Sequence, residues 1–150
     1  MVQTAIRPVG LDDLPDLSVL MQEYYTYDEL EFNKDSALSA LRNLLADEAL
    51  GRAWLIDRGE RTLGYIVLTF GYSLEFGGRD AFIDELYIRE PYRGCGIGTR
   101  SLELVESAAR TMGIRALHLE VDRGNQGARR FYKNRGFTDR SRFHLLSKRL

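Results

Sequence analysis

The segment Glu90–Leu104, EPYRGCGIGTRSLEL, constrains the fold more than any other stretch of the chain. It places three glycines at alternate positions between an apolar strand pattern, Asp80–Ile88, and an apolar helix pattern, Ile97–Met112. A tight glycine turn that opens a helix directs successive backbone N–H groups at one point, where the helix dipole adds about half a positive charge. The segment therefore predicts an α/β fold with an anion site between a strand and a helix.

Three kinds of phosphate loop have glycines at comparable spacing, and the residues after Gly98 distinguish them. A P-loop requires Lys before Ser or Thr, whereas Thr99 and Arg100 follow Gly98 here. A dinucleotide loop requires a third glycine where Thr99 stands, and the chain is too short for the repeated βαβ units of that fold. A backbone cradle for a pyrophosphate fits best, with Arg93 or Arg100 as a supplementary cation.

Hydrophobic periodicity predicts elements in the order β, two helices, then β β β α β α β, which indicates a mixed α/β sheet with helices on both faces. The chain has no linker, repeat or low-complexity tract, so residues 1–150 are predicted to form a single domain. The predicted strands are Thr4–Val9, Gly51–Arg58, Leu63–Leu74, Asp80–Ile88, Arg115–Val121 and two short strands within Phe137–Leu150. The predicted helices are Gly10–Tyr25, Asn33–Leu50, Ile97–Met112 and Asn125–Arg135.

Composition excludes several classes of protein. A net charge of -1 gives no support for a partner such as nucleic acid or an anionic membrane. The single cysteine, Cys95, excludes an internal disulfide, and with only two separated histidines, His118 and His144, it argues against a zinc site. The N-terminal residues lack the basic-then-apolar run of a signal peptide, and no apolar stretch approaches the ~20 residues of a membrane span. We therefore expect a cytoplasmic protein that binds no metal.

Two motifs together resemble the GNAT superfamily of acyl-CoA-dependent N-acetyltransferases. The first, at Arg93, Gly96 and Gly98, is similar to the family pattern R/Q-x-x-G-x-G/A. The second is similar to N-x-x-A-x-x-F-Y-x-x-x-G-F, and its residues here are Asn125, Ala128, Phe131, Tyr132, Gly136 and Phe137. The resemblance covers nearly the whole chain. It implies a mixed, mostly antiparallel twisted sheet of about six to seven strands, splayed in the middle, with about four helices on both faces.

The resemblance also implies acetyl-CoA as co-substrate. The glycine loop would hold the pyrophosphate, the preceding strand would pair its backbone with the pantetheine arm, and two residues of the second motif would lie along that arm. The implied donor-binding residues are Leu86, Tyr87, Ile88, Arg93, Gly94, Cys95, Gly96, Ile97, Gly98, Thr99, Asn125 and Tyr132. Cys95 occupies a variable position of the motif, so we expect an oxidation-sensitive thiol there rather than a covalent catalyst.

Acetylation of an amine requires a general base, because an alkyl amine with a pKa of about 10.4 is almost entirely protonated at neutral pH. The strand before the loop offers Asp84 and Glu85. Strict alternation would place Asp84 with Phe82 and Glu85 with Ile83, on opposite faces of the sheet. Apolar neighbours would raise the pKa of either carboxyl. We expect Asp84 as the base, with Glu85 as the second candidate and Glu120, on the next strand, as the third.

The resemblance assigns the remaining steps of the reaction. Tyr132 is expected to be the general acid, because a phenol can hydrogen-bond a departing thiolate and protonate it. In the family, the strands that carry Asp84 and Glu120 splay apart, and the acyl group lies in the gap. Backbone N–H groups freed on the Asp84 strand can then stabilise the oxyanion. The expected catalytic set is therefore Tyr132, Asp84 and Glu85.

The stretch Met21–Phe32, MQEYYTYDELEF, interleaves aromatic and acidic side chains. Aromatic faces and carboxylates together suit a cationic amine. With a looser resemblance to the diamine and thialysine acetyltransferases, this stretch predicts a small cationic acceptor: a polyamine, a diamine, an amino-acid analogue or an aminoglycoside. The predicted acceptor-binding residues are Tyr24, Tyr25, Glu75, Asp84 and Glu120.

Two alternatives to this function stay open. In the first alternative, the acceptor is a protein N-terminus or a lysine side chain. In the second, the chain is a non-catalytic acyl-CoA sensor or partner-binding module. Tyr132 and the two strand acids disfavour the non-catalytic alternative. The family also implies a homodimer, and the C-terminal segment RFHLLSKRL would suit an edge strand that pairs across subunits.

Overall fold

A computed structural model describes residues 2–150 of the chain. The chain divides into two compact units, a larger one that ends at Leu119 and a smaller one that comprises Glu120–Leu150. The larger unit contains a sheet and three helices, and the smaller unit contains one helix.

The larger unit is built on a five-stranded sheet in the order β1-β2-β3-β4-β5. Neighbours from β1 to β4 are antiparallel, whereas β5 is parallel to β4. The sheet is therefore mixed and mostly antiparallel, as predicted. The strands are β1 Thr4–Pro8, β2 Gly51–Arg58, β3 Arg61–Ser73, β4 Gly78–Ile88 and β5 Ala116–His118.

The predicted helices are all present in the described residues, with boundaries that local side chains define. Asn33 caps the second helix by accepting a hydrogen bond from the Ser36 N–H, at 2.9 Å. Pro15 lies in the first turn of the first helix, where its missing N–H costs nothing. The helices are α1 Leu14–Tyr27, α2 Lys34–Ala46, α3 Ile97–Thr111 and α4 Gln126–Asn134, and short 3-10 turns cover Leu11–Asp13 and Glu90–Tyr92.

Helices cover both faces of the sheet. On one face, α1 and α2 pack against a cluster that includes Tyr65, Val67 and Tyr87. On the opposite face, Ile66 and Leu68 are fully buried. Helix α3 contacts β1 and buries its own apolar stripe. The two faces alternate along β3, which is the pattern of a sheet buried on both sides.

The pairing of β4 changes near its middle. Strand β5 pairs with β4 only from Asp80 to Phe82, so the second half of β4 continues past its parallel neighbour. On the other edge, Leu68 lies opposite Ile83 and Val67 lies opposite Glu85, which leaves Asp84 as an extra residue without a partner in β3. Asp84 is therefore the residue of a β-bulge.

The prediction of six to seven strands was too high, since the described residues form five. The segment Phe137–Leu150 was predicted to form two short strands but forms none, and the strand predicted as Arg115–Val121 is limited to Ala116–His118. In the C-terminal segment, Leu145 and Leu146 are adjacent and mostly exposed. The segment therefore lacks the strict alternation that would bury one face of a strand. Within residues 2–150, no helix is long and apolar enough to cross a membrane.

Candidate active site

The bulge at Asp84 reverses the alternation expected for β4. Residues directly opposite each other in a sheet share a face, so Glu85, opposite Val67, lies on the face covered by α1 and α2. Ile83, opposite Leu68, lies on the other face. The expectation that Glu85 and Ile83 share a face was therefore wrong, because the extra residue moves the two sides of the bulge out of phase.

Glu85 is a buried carboxylate, with 8% of its surface exposed. Its Oε1 accepts a hydrogen bond from the Tyr65 hydroxyl at 2.7 Å, and its Oε2 accepts one from the Tyr25 hydroxyl at 2.6 Å. Contacts this short are typical of a hydroxyl that donates to an ionised carboxylate. Because a protonated carboxyl would have to use one oxygen as a donor, two phenol donors favour the ionised form.

Opposing effects act on the pKa of Glu85. Burial raises this pKa, the hydrogen bonds from Tyr25 and Tyr65 lower it, and the charge of Asp84 raises it, with a net increase above the ordinary value. The pKa values of both tyrosines are raised, chiefly by burial and also by the adjacent Glu85 charge. Both phenols therefore keep their protons and remain donors at neutral pH.

Asp84 has a different environment from its neighbour. Its side chain is exposed, yet the surrounding chain desolvates the carboxyl and raises its pKa. The charge of Asp84 also raises the pKa values of Tyr25 and Glu85. The charge of Asp84 therefore acts on Glu85 even though the two side chains have different environments.

The two tyrosines that bind Glu85 belong to a larger group of aromatic rings in mutual contact. The Tyr24 ring contacts those of Tyr25, Tyr65 and Tyr87, with centroids 5.5, 6.4 and 5.9 Å apart. The ring of Phe32 contacts Tyr25 at 5.3 Å. We call Tyr24, Tyr25, Tyr65, Tyr87 and Glu85 the tyrosine–glutamate cluster. It unites the predicted acceptor residues Tyr24 and Tyr25 with the predicted catalytic residue Glu85.

Tyr65 was not among the predicted site residues. It lies within an apolar strand pattern, twenty residues from Glu85 in sequence, and is fully buried. A buried tyrosine usually finds a partner for its hydroxyl, and this tendency is the signal that would have marked it.

A second polar cluster connects α1 to the end of β4. Arg89 donates to both carboxylate oxygens of Glu23, at 3.0 and 3.1 Å, and the Tyr87 hydroxyl donates to Glu23 at 3.2 Å. A bidentate arginine–carboxylate pair fixes the geometry of both side chains. This cluster therefore holds α1, which carries Tyr24 and Tyr25, against the strand that carries the two acids.

The glycine loop has the geometry of an anion cradle. Gly94 and Gly96 have φ angles of 74° and 77°, and no atom lies within 4 Å of the Cβ that a larger residue would add at either position. Helix α3 begins directly after Gly96 and has no side-chain cap. The N–H groups of its first turn, Ile97–Thr99, therefore have no partner within the helix, and an anion would satisfy them.

The Arg93 side chain points to α1 rather than to the helix start. Its Nε donates to the Ile88 carbonyl at 2.7 Å, and its guanidinium lies 4.4 Å from the Tyr27 ring and 5.5 Å from the Tyr87 ring. The Arg93 side chain therefore anchors the loop to Ile88 and Tyr27. Only the backbone of Arg93 remains on the side of the glycine turn. Cys95, two residues on, is exposed.

The smaller unit holds the second motif. Asn125 caps α4, with its Oδ1 accepting from the Ala128 N–H at 3.1 Å. The Tyr132 ring contacts Phe131 and Phe137, with centroids 5.2 and 5.6 Å apart, and burial raises the pKa of Tyr132 to about 12. Glu120 is exposed at the start of this unit.

The structure does not bring Glu75 to the cluster. Glu75 lies in the exposed turn between β3 and β4, whereas Asp84 lies six residues beyond the start of β4. At about 3.3 Å a residue, the two are separated by roughly 20 Å along the strand. Glu75 is therefore the predicted acceptor residue with the weakest structural support within the larger unit.

Comparison with known proteins agrees with both motifs. The family model for "Acetyltransferase (GNAT) family" matches residues 14–137. An uncharacterized N-acetyltransferase of Bacillus subtilis, YycN, is 44% identical over 61 residues, which cover 41% of this chain and 39% of that protein. The thialysine N-epsilon-acetyltransferase of Mus musculus is 28% identical over 149 residues, which cover 93% of this chain and 86% of that protein.

A solved structure has the same fold along nearly the whole chain. It is an integron cassette protein from the mobile metagenome of Cole Harbour Salt Marsh, 35% identical, with a TM-score of 0.84 over 97% of this chain and 90% of that one. The family model covers well over half of the chain, from α1 to the end of the second motif. The protein therefore belongs to the acetyltransferase (GNAT) family and is an acyltransferase.

Proposed function

We propose that the protein transfers an acetyl group from acetyl-CoA to the primary amine of a small cationic acceptor. The proposal rests first on family membership, which makes an acyl donor and an amine acceptor the expected substrates. It rests second on a donor loop and an acidic aromatic cluster that both adjoin the end of β4.

The donor fits the glycine loop. The N–H groups of the uncapped first turn of α3 converge where two left-handed glycines leave open space. A pyrophosphate carries the charge and the acceptor oxygens that such a turn binds. Because Arg93 is engaged with Ile88 and Tyr27, backbone donors rather than its guanidinium would hold the pyrophosphate.

The acceptor fits the surroundings of Asp84 and Glu85. The two carboxylates and the rings of Tyr24 and Tyr25 create a negative, aromatic environment, which favours an ammonium group over an uncharged one. The mouse relative is named for acetylation of thialysine, a basic amino-acid analogue, which supports an acceptor of this class. Thialysine is therefore the first compound to test.

The chemistry divides among three groups. Asp84 would take the proton of the ammonium, because its side chain is exposed to the acceptor and desolvation raises the pKa of its carboxyl above the ordinary value. The freed amine would attack the thioester carbonyl, forming a C–N bond as the C–S bond breaks. Backbone N–H groups of β4 would stabilise the oxyanion. Tyr132 would donate its proton to the departing thiolate, and its raised pKa keeps that proton in place until then.

The bulge in β4 is the observation that carries the proposal. The pairing of β4 with β5 ends at Phe82, two residues before the bulge at Asp84. The exposed Asp84 therefore lies where β4 no longer has a parallel neighbour. An acyl group and an amine would both have access to this point. A bulge beside an active site commonly serves to aim a side chain.

The experiment is an amine panel with purified protein and acetyl-CoA. Thiol release and the mass of the product would be measured for thialysine, diamines, polyamines, aminoglycosides and peptides with a free N-terminus or lysine. We expect release above background with a small cationic amine and a product heavier by one acetyl group. Acetylation of peptides alone would refute the small-molecule acceptor, and binding of CoA without release by any amine would refute the enzymatic function.

A further inference from the structure

The tyrosine–glutamate cluster contains two hydroxyl donors that the reaction itself does not use. Tyr65 is fully buried in β3 and Tyr25 is half-buried in α1, and each donates to a different oxygen of the same carboxylate. The two donors come from different elements and converge on one side chain of β4. Such convergence fixes the position of Glu85, and the two hydrogen bonds favour its ionised form.

We propose that Tyr65 and Tyr25 are positioning residues that hold Glu85 as a fixed ionised carboxylate, so that Glu85 attracts the acceptor and leaves proton removal to Asp84. The inference rests on the proposed function and deepens it, because it assigns different tasks to two adjacent acids. Both oxygens of Glu85 already accept short hydrogen bonds. The exposed carboxyl of Asp84 is the one that an incoming amine can reach.

The hydrogen bonds from Tyr25 and Tyr65 favour the ionised form of Glu85, whereas the charge of Asp84 opposes it. Titratable groups face Glu85 from three elements. On β4 these are Asp84 and Tyr87, on β3 Tyr65, and on α1 Tyr24 and Tyr25. Two cations lie next to the cluster, and each is engaged elsewhere. Arg89 pairs with Glu23 on α1, and Arg93, whose guanidinium lies 5.5 Å from the Tyr87 ring, donates to the Ile88 carbonyl. A cationic acceptor would therefore meet a carboxylate whose charge is not neutralised by a lysine or arginine on these elements.

Loss of one phenol donor has a defined effect on this charge. The hydrogen bonds from Tyr25 and Tyr65 lower the pKa of Glu85, against the opposing effect of burial. In Tyr65→Phe, one of these bonds is absent, so Glu85 takes up a proton at a higher pH than in the wild type. Below that pH the charge disappears, and the attraction for a cation disappears with it.

The first test measures the carboxylate directly and needs no activity. Protein labelled with ¹³C at the glutamate side-chain carboxyl would be titrated by NMR as wild type, Tyr65→Phe and Tyr25→Phe. We expect the Glu85 signal to titrate at higher pH in both variants. Tyr72→Phe, which removes a phenol from an exposed position of β3, is the matched control and should leave the titration unchanged. An unchanged Glu85 titration in the two cluster variants would overturn the inference.

The second test measures the consequence for acetylation of thialysine. In Tyr65→Phe we expect KM for thialysine to rise roughly tenfold near the pH at which Glu85 becomes protonated, with kcat changed less, and to recover at higher pH. Glu85→Gln should raise KM similarly at every pH. If KM in Tyr65→Phe rises equally at every pH, or if only kcat falls, Tyr65 has a merely structural role and the inference is overturned.

The two tests also separate this inference from the proposed function. If the NMR titration shifts as expected but no amine is acetylated by the wild type, the proposed function fails while the role of the two phenols in holding the Glu85 charge stands. Because Tyr65 is buried, thermal unfolding would first establish that Tyr65→Phe is folded. If it is not, Tyr25→Phe at the half-buried position decides both tests alone.

Discussion

Asp84 and Glu85 are adjacent in sequence but have opposite environments. Glu85 is buried with both oxygens bound by phenols, whereas Asp84 is exposed at the bulge. Desolvation, hydrogen bonding and mutual repulsion therefore act on them in different proportions. These environments support the two tasks that we propose for the carboxylates, a fixed charge at Glu85 and a titrating base at Asp84.

Replacement of Glu85 by Gln should change how stability depends on pH. The folded-state pKa of Glu85 lies above its ordinary value of 4.5, so ionisation opposes folding. The stability that the protonated group provides is complete below that ordinary value and is lost as the pH rises through the folded-state pKa. Glu85→Gln cannot ionise, so its melting temperature relative to wild type should increase over this range. A constant difference from acid to neutral pH would contradict the raised pKa.

The glycine loop and the bulge are the two local features that distinguish β4 and α3 from ordinary elements. The glycine spacing predicted the loop, because left-handed backbone and an uncapped helix start need residues without a Cβ. The position of the bulge could not be predicted, since neither a glycine nor a proline marks Asp84 and the apolar pattern continues on both sides. Tyr65 was missed for a related reason, because its partner depends on the register between β3 and β4.

Gly96→Ala should reduce affinity for acetyl-CoA. The φ of 77° makes any larger residue strained there, at a cost of about 1–2 kcal/mol, and a methyl group would occupy the open space that we assign to the pyrophosphate. Gly59→Ala, at a φ of 64° in the turn between β2 and β3, is the control for strain alone. Calorimetry should show weaker acetyl-CoA binding only in Gly96→Ala. Equal binding by the two variants would contradict the cradle.

The family match extends from residue 14 to residue 137 and so includes residues of both compact units. The larger unit contributes the acids and the glycine loop, and the smaller one contributes the Asn125-to-Phe137 motif. The order of elements, the mixed sheet and the cap at Asn125 agree with the sequence predictions. The two predicted C-terminal strands are absent from the described residues, because the adjacent, exposed Leu145 and Leu146 do not provide a strand with one buried face. A single domain and a homodimer stay predictions.

Tyr132→Phe tests the contribution of the smaller unit to the reaction. The variant keeps the ring contacts with Phe131 and Phe137 but removes the proton that we assign to the departing thiolate. Turnover should fall by about 10²-fold or more, with little change in acetyl-CoA affinity. Turnover equal to that of the wild type would remove Tyr132 from the role of general acid.

The most direct test of the central claim is the pH profile of kcat/KM for the acetylated amine, measured for wild type and Asp84→Asn. If Asp84 removes the amine proton, the wild type should lose activity as the pH falls through the raised pKa of Asp84. Asp84→Asn should then lack this acid limb and be slower by about 10²–10⁴-fold. Asp16→Asn, which alters an exposed acid of α1 outside the cluster, is the control. An Asp84→Asn variant that keeps the wild-type rate and the same acid limb would contradict the account.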